Sequence, residues 1–416
     1  RRAPGGAESS TDITAAAAPT TTGPDGVTTT TKPPYTVKVA PISCPFDRTS
    51  ANRLKVDCVN VVLPARRDKP DGSKVYLAVA RIHSTSPTPL PDPVVYLDGG
   101  PGGSAIAGID RWTNPVSPLL TNRDVILVDQ RGTGFSQPRL NCDRTFAESP
   151  KGEFDDRVEE SKKCVADLLR EKIDPADFNT TASAADIADV RVALKIDAWN
   201  LFGISYGTRL GLWIMATHPE GVRSAVLDSN YPPGIKGYEE TANNLNRALE
   251  AIFADCAAQP ACRAAYPDLR GALNGAIAQL NASPLRRRAY DPATRKQVTL
   301  PYTGKEFVLT IFSSLYYTEI MPDVPKAINE AAKGDVVGAV DLLSGAGYAE
   351  RTKEEDKPER PRSARQRPAF TEGLTSAIEC AETVPGTTTD SIKAAAASVP
   401  PAIADAVVQF RQRQVE

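Results

Sequence analysis

Histidine is scarce in this chain: only His83 and His218 occur in 416 residues. No C-x2-C pair accompanies them, so the donor sets of ordinary zinc sites are missing and no metal is expected. An excess of positive charge is also missing. Lys and Arg number 49 against 51 Asp and Glu, which leaves no electrostatic footprint for nucleic acid, and no such partner is expected. No window approaches the roughly 18 uninterrupted apolar residues that a membrane-spanning helix needs, so no membrane span is expected either. The chain opens on Arg1 and Arg2 instead of a Met and an apolar run, which reads as a processed or clipped start. Residues 1–38 are Thr, Ala, Pro and Gly with almost no large apolar side chains. Such a composition cannot offset its ordering entropy by burial, and a flexible tether is expected.

What is present describes a globular protein. Hydrophobic residues make up 41% and charged residues 24%, the ordinary balance for a chain long enough to hold one large domain with an insertion. Six of the seven cysteines fall into three local pairs, Cys44 with Cys58, Cys142 with Cys164, and Cys256 with Cys262, leaving Cys380 over. Local pairs suit disulfides in an oxidising compartment, and together with the tether they point to a secreted or cell-envelope protein. Connectivity and oligomeric state are not read from the sequence.

From Lys55 the chain turns to short β-rich runs. LKVDCVNVVLP and KVYLAVARI alternate as an antiparallel pair, with Asp71 and Gly72 near the turn. PVVYLD at 93–98 and DVILVD at 124–129 are continuous apolar runs, the pattern of parallel strands covered on both faces. A helix is expected over 181–196, where Ile187, Val190 and Leu194 recur at helical spacing. AWNLFG, YGTRLGLWIMAT and RSAVLD then read as strand, helix and strand. This alternation defines an α/β, mostly parallel, doubly wound sheet. After Asn230 the strands are expected to stop, and residues 233–416 read mainly as helices. A core over 39–232 and a helical cap over 233–416 follow. The charged interval 351–368 reads as an exposed loop.

Three motifs carry chemistry. GISYG at 203–207 lies between a strand and a helix, the setting that lifts Ser205 onto a sharp turn above the carboxyl ends of the strands. DGGPGGS at 98–104 follows a buried strand. Acyl transfer builds negative charge on a carbonyl oxygen, and backbone amides aimed at that point lower the barrier. Gly100, with Gly102 as second choice, and Tyr206 are the candidate donors; Pro101 has no N–H. A phosphate cradle is the alternative, but neither G-x-G-x-x-G nor Walker spacing accompanies the loop. In DQRGTGFS at 129–136, Asp129 and Arg131 are expected to pair beneath the turn and fix the loop.

In this order and spacing, GGPGGS, DQRGTGFS and GISYGTRL resemble the prolyl and tripeptidyl aminopeptidases of the α/β-hydrolase superfamily. The resemblance runs from about Cys44 onward. Asp98 stands where prolyl aminopeptidases usually have His, so the tripeptidyl-type branch is the closer match. It implies an α/β-hydrolase fold with a helical cap after the sixth strand, no cofactor, and release of amino-terminal residues or short peptides through an acyl-enzyme on Ser205. The partner it implies is a peptide with a free amino terminus. In that branch a Cys closely followed by an acid lies in the cap, and IECAE at 378–382 looks like its counterpart. Glu382, with Glu379 second, is then the candidate for pairing with the substrate's α-ammonium; a surface Glu on an amphipathic helix is the other reading.

A nucleophilic Ser needs a His base and an acid to orient it. His83 lies in the antiparallel pair and His218 at the far end of the helix after Ser205, so both read as structural. Asp228 ends the next strand and reads as closing it into the following loop, with the orienting acid as the alternative role. The fold's order is Ser, acid, His, and no apolar strand run follows the cap. The sequence is therefore expected to stop before the acid and base. An inert binding relative, or an esterase or acyltransferase on the same scaffold, are the other readings.

Overall fold

The computed structural model describes residues 11–14, 21–22, 28–29, 35–46, 54–113, 116–142, 154–291, 296–345 and 370–415. The chain divides into two compact units. The first takes in Arg1–Phe146, Val158–Ile235 and Pro361–Glu382, and the second takes in Ala147–Arg157, Lys236–Arg360 and Thr383–Glu416.

The first unit is built on an eight-stranded sheet. Its strands are β1 (Thr11–Thr14), β4 (Thr36–Pro41), β5 (Val56–Pro64), β6 (Lys74–Ile82), β7 (Val94–Leu97), β8 (Val125–Val128), β9 (Trp199–Ile204) and β10 (Val222–Asp228). Strands β2 (Thr21–Thr22) and β3 (Thr28–Thr29) pair separately, antiparallel to each other. The order is β1-β4-β5-β6-β8-β7-β9-β10. The half holding β8, β7, β9 and β10 is parallel, and the half from β1 to β6 is antiparallel, as is the join of β6 to β8. Every residue of β7 and β8 is buried, as continuous apolar runs require of strands covered on both faces. β5 and β6 form the expected hairpin, with Val56 opposite Ile82.

Counted from β5, β10 is the sixth strand; β1 and β4 add two more ahead of it. Within the stretch expected to be a tether, Thr11–Thr14 pairs with Thr36–Val39 in the sheet. Thr and Val have high β propensity, so a segment too polar to form a core of its own still adds to an existing edge. At the opposite edge β10 leaves Val226 60% exposed.

After α1 (Asp110–Thr113) and α2 (Phe154–Arg170), helix α3 (Thr180–Ala193) packs against α4 (Tyr206–Thr217) and the antiparallel strands β1, β4 and β5, while α4 packs on the parallel strands β9, β10 and β7. The Asn179 side chain caps α3 by accepting from the Ala182 amide, which satisfies one of the free donors of the first turn. The sulfurs of all three local cysteine pairs are joined, and Cys380 is free and exposed.

The second unit is mainly helical. Its helices include Gly237–Ala258, Leu269–Ala282, Gly304–Ser314, Val324–Ala332, Val336–Leu343, Thr389–Ala396 and Pro401–Val415. Their apolar faces form one core around Leu245, Leu273, Phe307, Ile328 and Val407. Two expectations are corrected here. Strands do not stop after Asn230, because Leu285–Asp291 and Lys296–Tyr302 make an antiparallel hairpin; three successive Arg hide its alternation. Among the described residues, 370–382 belong to the first unit and not to the second. In the helix Glu372–Glu382, Leu374 and Ile378 are spaced by one turn and buried in the first unit's core. The loop read at 351–368 lies outside the described residues.

Candidate active site

Ser205 stands between β9 and α4 at φ 54°, ψ −122°, a conformation that costs a non-glycine residue about 1–3 kcal/mol. The surroundings hold it there. Its amide donates to the Asp228 carbonyl at 3.0 Å, and its own carbonyl accepts from the Thr208 amide at 2.9 Å and the Thr208 hydroxyl at 2.6 Å. The flanking glycines are obligatory for a steric reason. A Cβ on Gly207 would fall against the Leu97 carbonyl oxygen of β7, and one on Gly203 against the Gly207 carbonyl. Ser205 therefore precedes a helix whose first amides, including that of Tyr206, have no carbonyl partner four residues back and favour negative charge.

The glycine loop lies beside this turn. A Cβ built on Gly99 would sit 3.5 Å from Ser205 Oγ. Gly100 and Gly102 take φ of 115° and 119°, which L side chains rarely adopt. The Gly99 amide donates to Asp98 Oδ1 at 2.9 Å, and the Gly103 amide to the Gly99 carbonyl at 3.1 Å. Among the described residues the amides of Gly100 and Gly102 have no acceptor. The geometry thus brings Ser205, Gly100 and Tyr206 together at one end of the parallel strands.

Asp129 does not pair with Arg131, contrary to expectation. Fully buried, it accepts from the Ser104 hydroxyl at 3.0 Å, the Ile106 amide at 3.0 Å and the Phe135 amide at 2.8 Å, so it ties the glycine loop to the DQRGTGFS turn. Arg131 points the other way. Its guanidinium grips Asp186 through two bonds of 2.8 and 2.7 Å and donates to the Ala65 and Asp177 carbonyls. The sequence missed Asp186 because its helical neighbours read only as an apolar face.

Burial pushes the Asp129 carboxyl up to about 6, against the pull of its amide and hydroxyl donors. A folded value above the unfolded one gives stability that is full below the ordinary carboxylate range and is lost as pH rises through about 6. Asp129→Asn removes this titration. The stability gap between the native protein and the variant is expected to narrow between pH 4 and pH 7 in denaturant titrations; a constant gap would contradict it.

Neither histidine belongs to this arrangement. His83 Nε2 lies 2.6 Å from Asp57 Oδ2. His218 ends α4, a helix of 12 residues that separates it from Ser205 by about 18 Å; burial and the nearby Arg67 push its pKa down. Asp228 contributes its carbonyl to Ser205, while its side chain accepts from Ser229 Oγ at 3.1 Å. No hydrogen bond joins Ser205 Oγ to a His or carboxylate among the described residues.

Glu382 lies behind the elbow. One carboxylate oxygen accepts from the Thr180 amide at 2.7 Å, and the other from the Thr180 hydroxyl at 2.8 Å and Arg209 Nη1 at 3.4 Å. The same Thr180 hydroxyl meets Tyr206 Oη at 2.8 Å. Glu379 sits one turn earlier on the same helix, half-buried. No group of three or more His, Cys, Asp or Glu able to hold a metal occurs among the described residues.

A strained Ser at a strand-to-helix turn, beside a glycine loop on a partly parallel sheet, defines the class as an α/β hydrolase. The alpha/beta hydrolase fold family matches residues 92–325, and the chain belongs to that family. It is similar to a probable proline iminopeptidase of Streptomyces coelicolor, 31% identical over 58% of this chain and 59% of that one. A tripeptidyl aminopeptidase of Streptomyces lividans is 31% identical over 43% of this chain and 36% of its own. Serine protease Hip1 of Mycobacterium bovis is 28% identical over 49% and 42%. The chain spans less than two thirds of each relative's length.

Proposed function

We propose that this chain carries the nucleophile of an extracytoplasmic serine exopeptidase, which releases amino-terminal residues or short peptides through an acyl-enzyme on Ser205. The strained backbone of Ser205 carries the reading, since a turn that costs energy and is fixed by Asp228 and Thr208 serves to present a hydroxyl. Gly100 and Tyr206 supply the oxyanion donors in this reading. Three disulfides support the compartment. The names of the relatives support a peptide substrate with a free amino terminus. The test is to compare kcat/KM on matched peptides with free and acetylated amino termini. A preference of tenfold or more for the free amine is expected, and equal rates would point to an endopeptidase or esterase.

Glu382 enters this reading as the partner of the substrate's α-ammonium. A specific observation favours a second role: donors from Thr180 and Arg209 already occupy its carboxylate, which makes it a brace behind the elbow. Glu382→Gln separates the two. An ammonium partner loses free-amine preference about tenfold with Tm kept. A brace lowers Tm and slows free and blocked substrates alike, which would remove Glu382 from the substrate site.

A further inference from the structure

The segment Phe370–Glu382 lies apart in sequence from the glycine loop yet is bonded to it. The Thr371 amide donates to the Gly102 carbonyl at 2.9 Å, and the Thr375 hydroxyl donates to the Pro101 carbonyl. Arg139 holds the same segment from the other side, through Thr371 Oγ1 at 3.1 Å and the Phe370 carbonyl at 3.3 Å. Contact is close throughout. A Cβ on Gly102 would lie 2.5 Å from the Thr371 carbonyl and 3.1 Å from Thr375 Oγ1, and one on Gly100 would lie 2.7 Å from the Phe370 ring.

These bonds select which loop groups stay free. A trans peptide points its carbonyl and its N–H in opposite directions, so anchoring one aims the other. Gly103 anchors the Gly99 carbonyl and thereby aims the Gly100 amide. Thr375 anchors the Pro101 carbonyl and thereby aims the Gly102 amide. Neither of those amides has an acceptor among the described residues. A helical Thr hydroxyl ordinarily bonds back to the carbonyl four residues earlier. Thr375 instead reaches a carbonyl 274 residues away in the chain.

We propose that Thr375 is a positioning residue for the oxyanion loop, fixing the Pro101–Gly102 peptide and with it the loop that presents the Gly100 amide to the carbonyl oxygen of a substrate on Ser205. The proposal rests on the reading of Ser205 as nucleophile. It makes the helix Glu372–Glu382 part of the reaction's support, through a hydroxyl that touches neither substrate nor nucleophile.

The experiment compares Thr375→Val with Thr375→Ser in the natively expressed protein, reading kcat, KM and the Ki of a peptide aldehyde. The aldehyde's adduct with a serine hydroxyl carries the oxyanion, whereas KM reports ground-state binding. Val keeps the shape and removes the donor. It is expected to lower kcat by about 10- to 100-fold, to weaken the aldehyde in parallel, and to leave KM within about twofold. Ser restores the donor and is expected to recover kcat to within about threefold. If Val prevents folding, Thr375→Ala carries the same readouts. A donor-free variant with kcat and aldehyde Ki within twofold of the native protein would overturn the proposal, as would a change confined to KM. Ser205→Ala run alongside separates the two claims: turnover that survives it overturns the nucleophile, whereas turnover lost there but untouched by Thr375→Val overturns this proposal alone.

Discussion

Ser205→Ala is expected to lower kcat of the natively expressed protein by about 10⁴-fold or more, leaving only the rate that binding and the oxyanion donors provide. The size follows from the role. Loss of a group that forms the covalent intermediate removes the reaction path itself, while loss of a positioning contact costs far less. The backbone at φ 54° is already paid for by bonds to Asp228 and Thr208 that do not involve the hydroxyl, so the variant is expected to keep its Tm. His83→Ala and His218→Ala supply the contrast. The first histidine is bonded to Asp57 on the antiparallel half of the sheet and the second ends α4, and each variant is expected to retain kcat within a few-fold. A loss of several orders of magnitude at either would place the general base where the structure does not.

Gly207→Ala is the substitution expected to damage the fold most. Its Cβ would meet the Leu97 carbonyl oxygen, a backbone atom of a fully buried parallel strand that cannot rotate away. Overpacking of this kind costs about 3 kcal/mol or more where the obstacle is backbone, which corresponds to a fall in Tm of roughly 5–10 °C. Gly275→Ala is the control, since a Cβ there meets nothing within 4 Å and the position is exposed on a helix. It is expected to be neutral or stabilising by up to about 1 kcal/mol. Thermal scans of the two variants check the pair, and equal Tm values would contradict the tight strand-to-helix contact at the elbow.

The parallel strands were legible in the sequence because burial on both faces writes itself as an unbroken apolar run, as in Val94–Leu97 and Val125–Val128. The elbow was legible because Gly203 and Gly207 answer a steric need that few other turns impose. Position in the chain was a poorer guide. The helix Glu372–Glu382 follows a long helical stretch and reads as part of it, yet Leu374 and Ile378 pack into the first unit. An amphipathic face records that a helix is buried, not against what. Asp129 and Arg131 flank the expected turn but bond elsewhere, because adjacency in sequence does not fix side-chain direction. The partners of Arg131 come from Ala65, Asp177 and Asp186. The hairpin at 285–302 was hidden by its charge.

Covalent labelling of the natively expressed protein with a fluorophosphonate, followed by peptide mapping, tests the account most directly. The reagent phosphonylates a serine only where its hydroxyl is activated and oxyanion donors await the product. A single modification on Ser205, absent from Ser205→Ala, is the result expected. A label on any other residue, or one that persists in that variant, would contradict the assignment of Ser205 as the nucleophile.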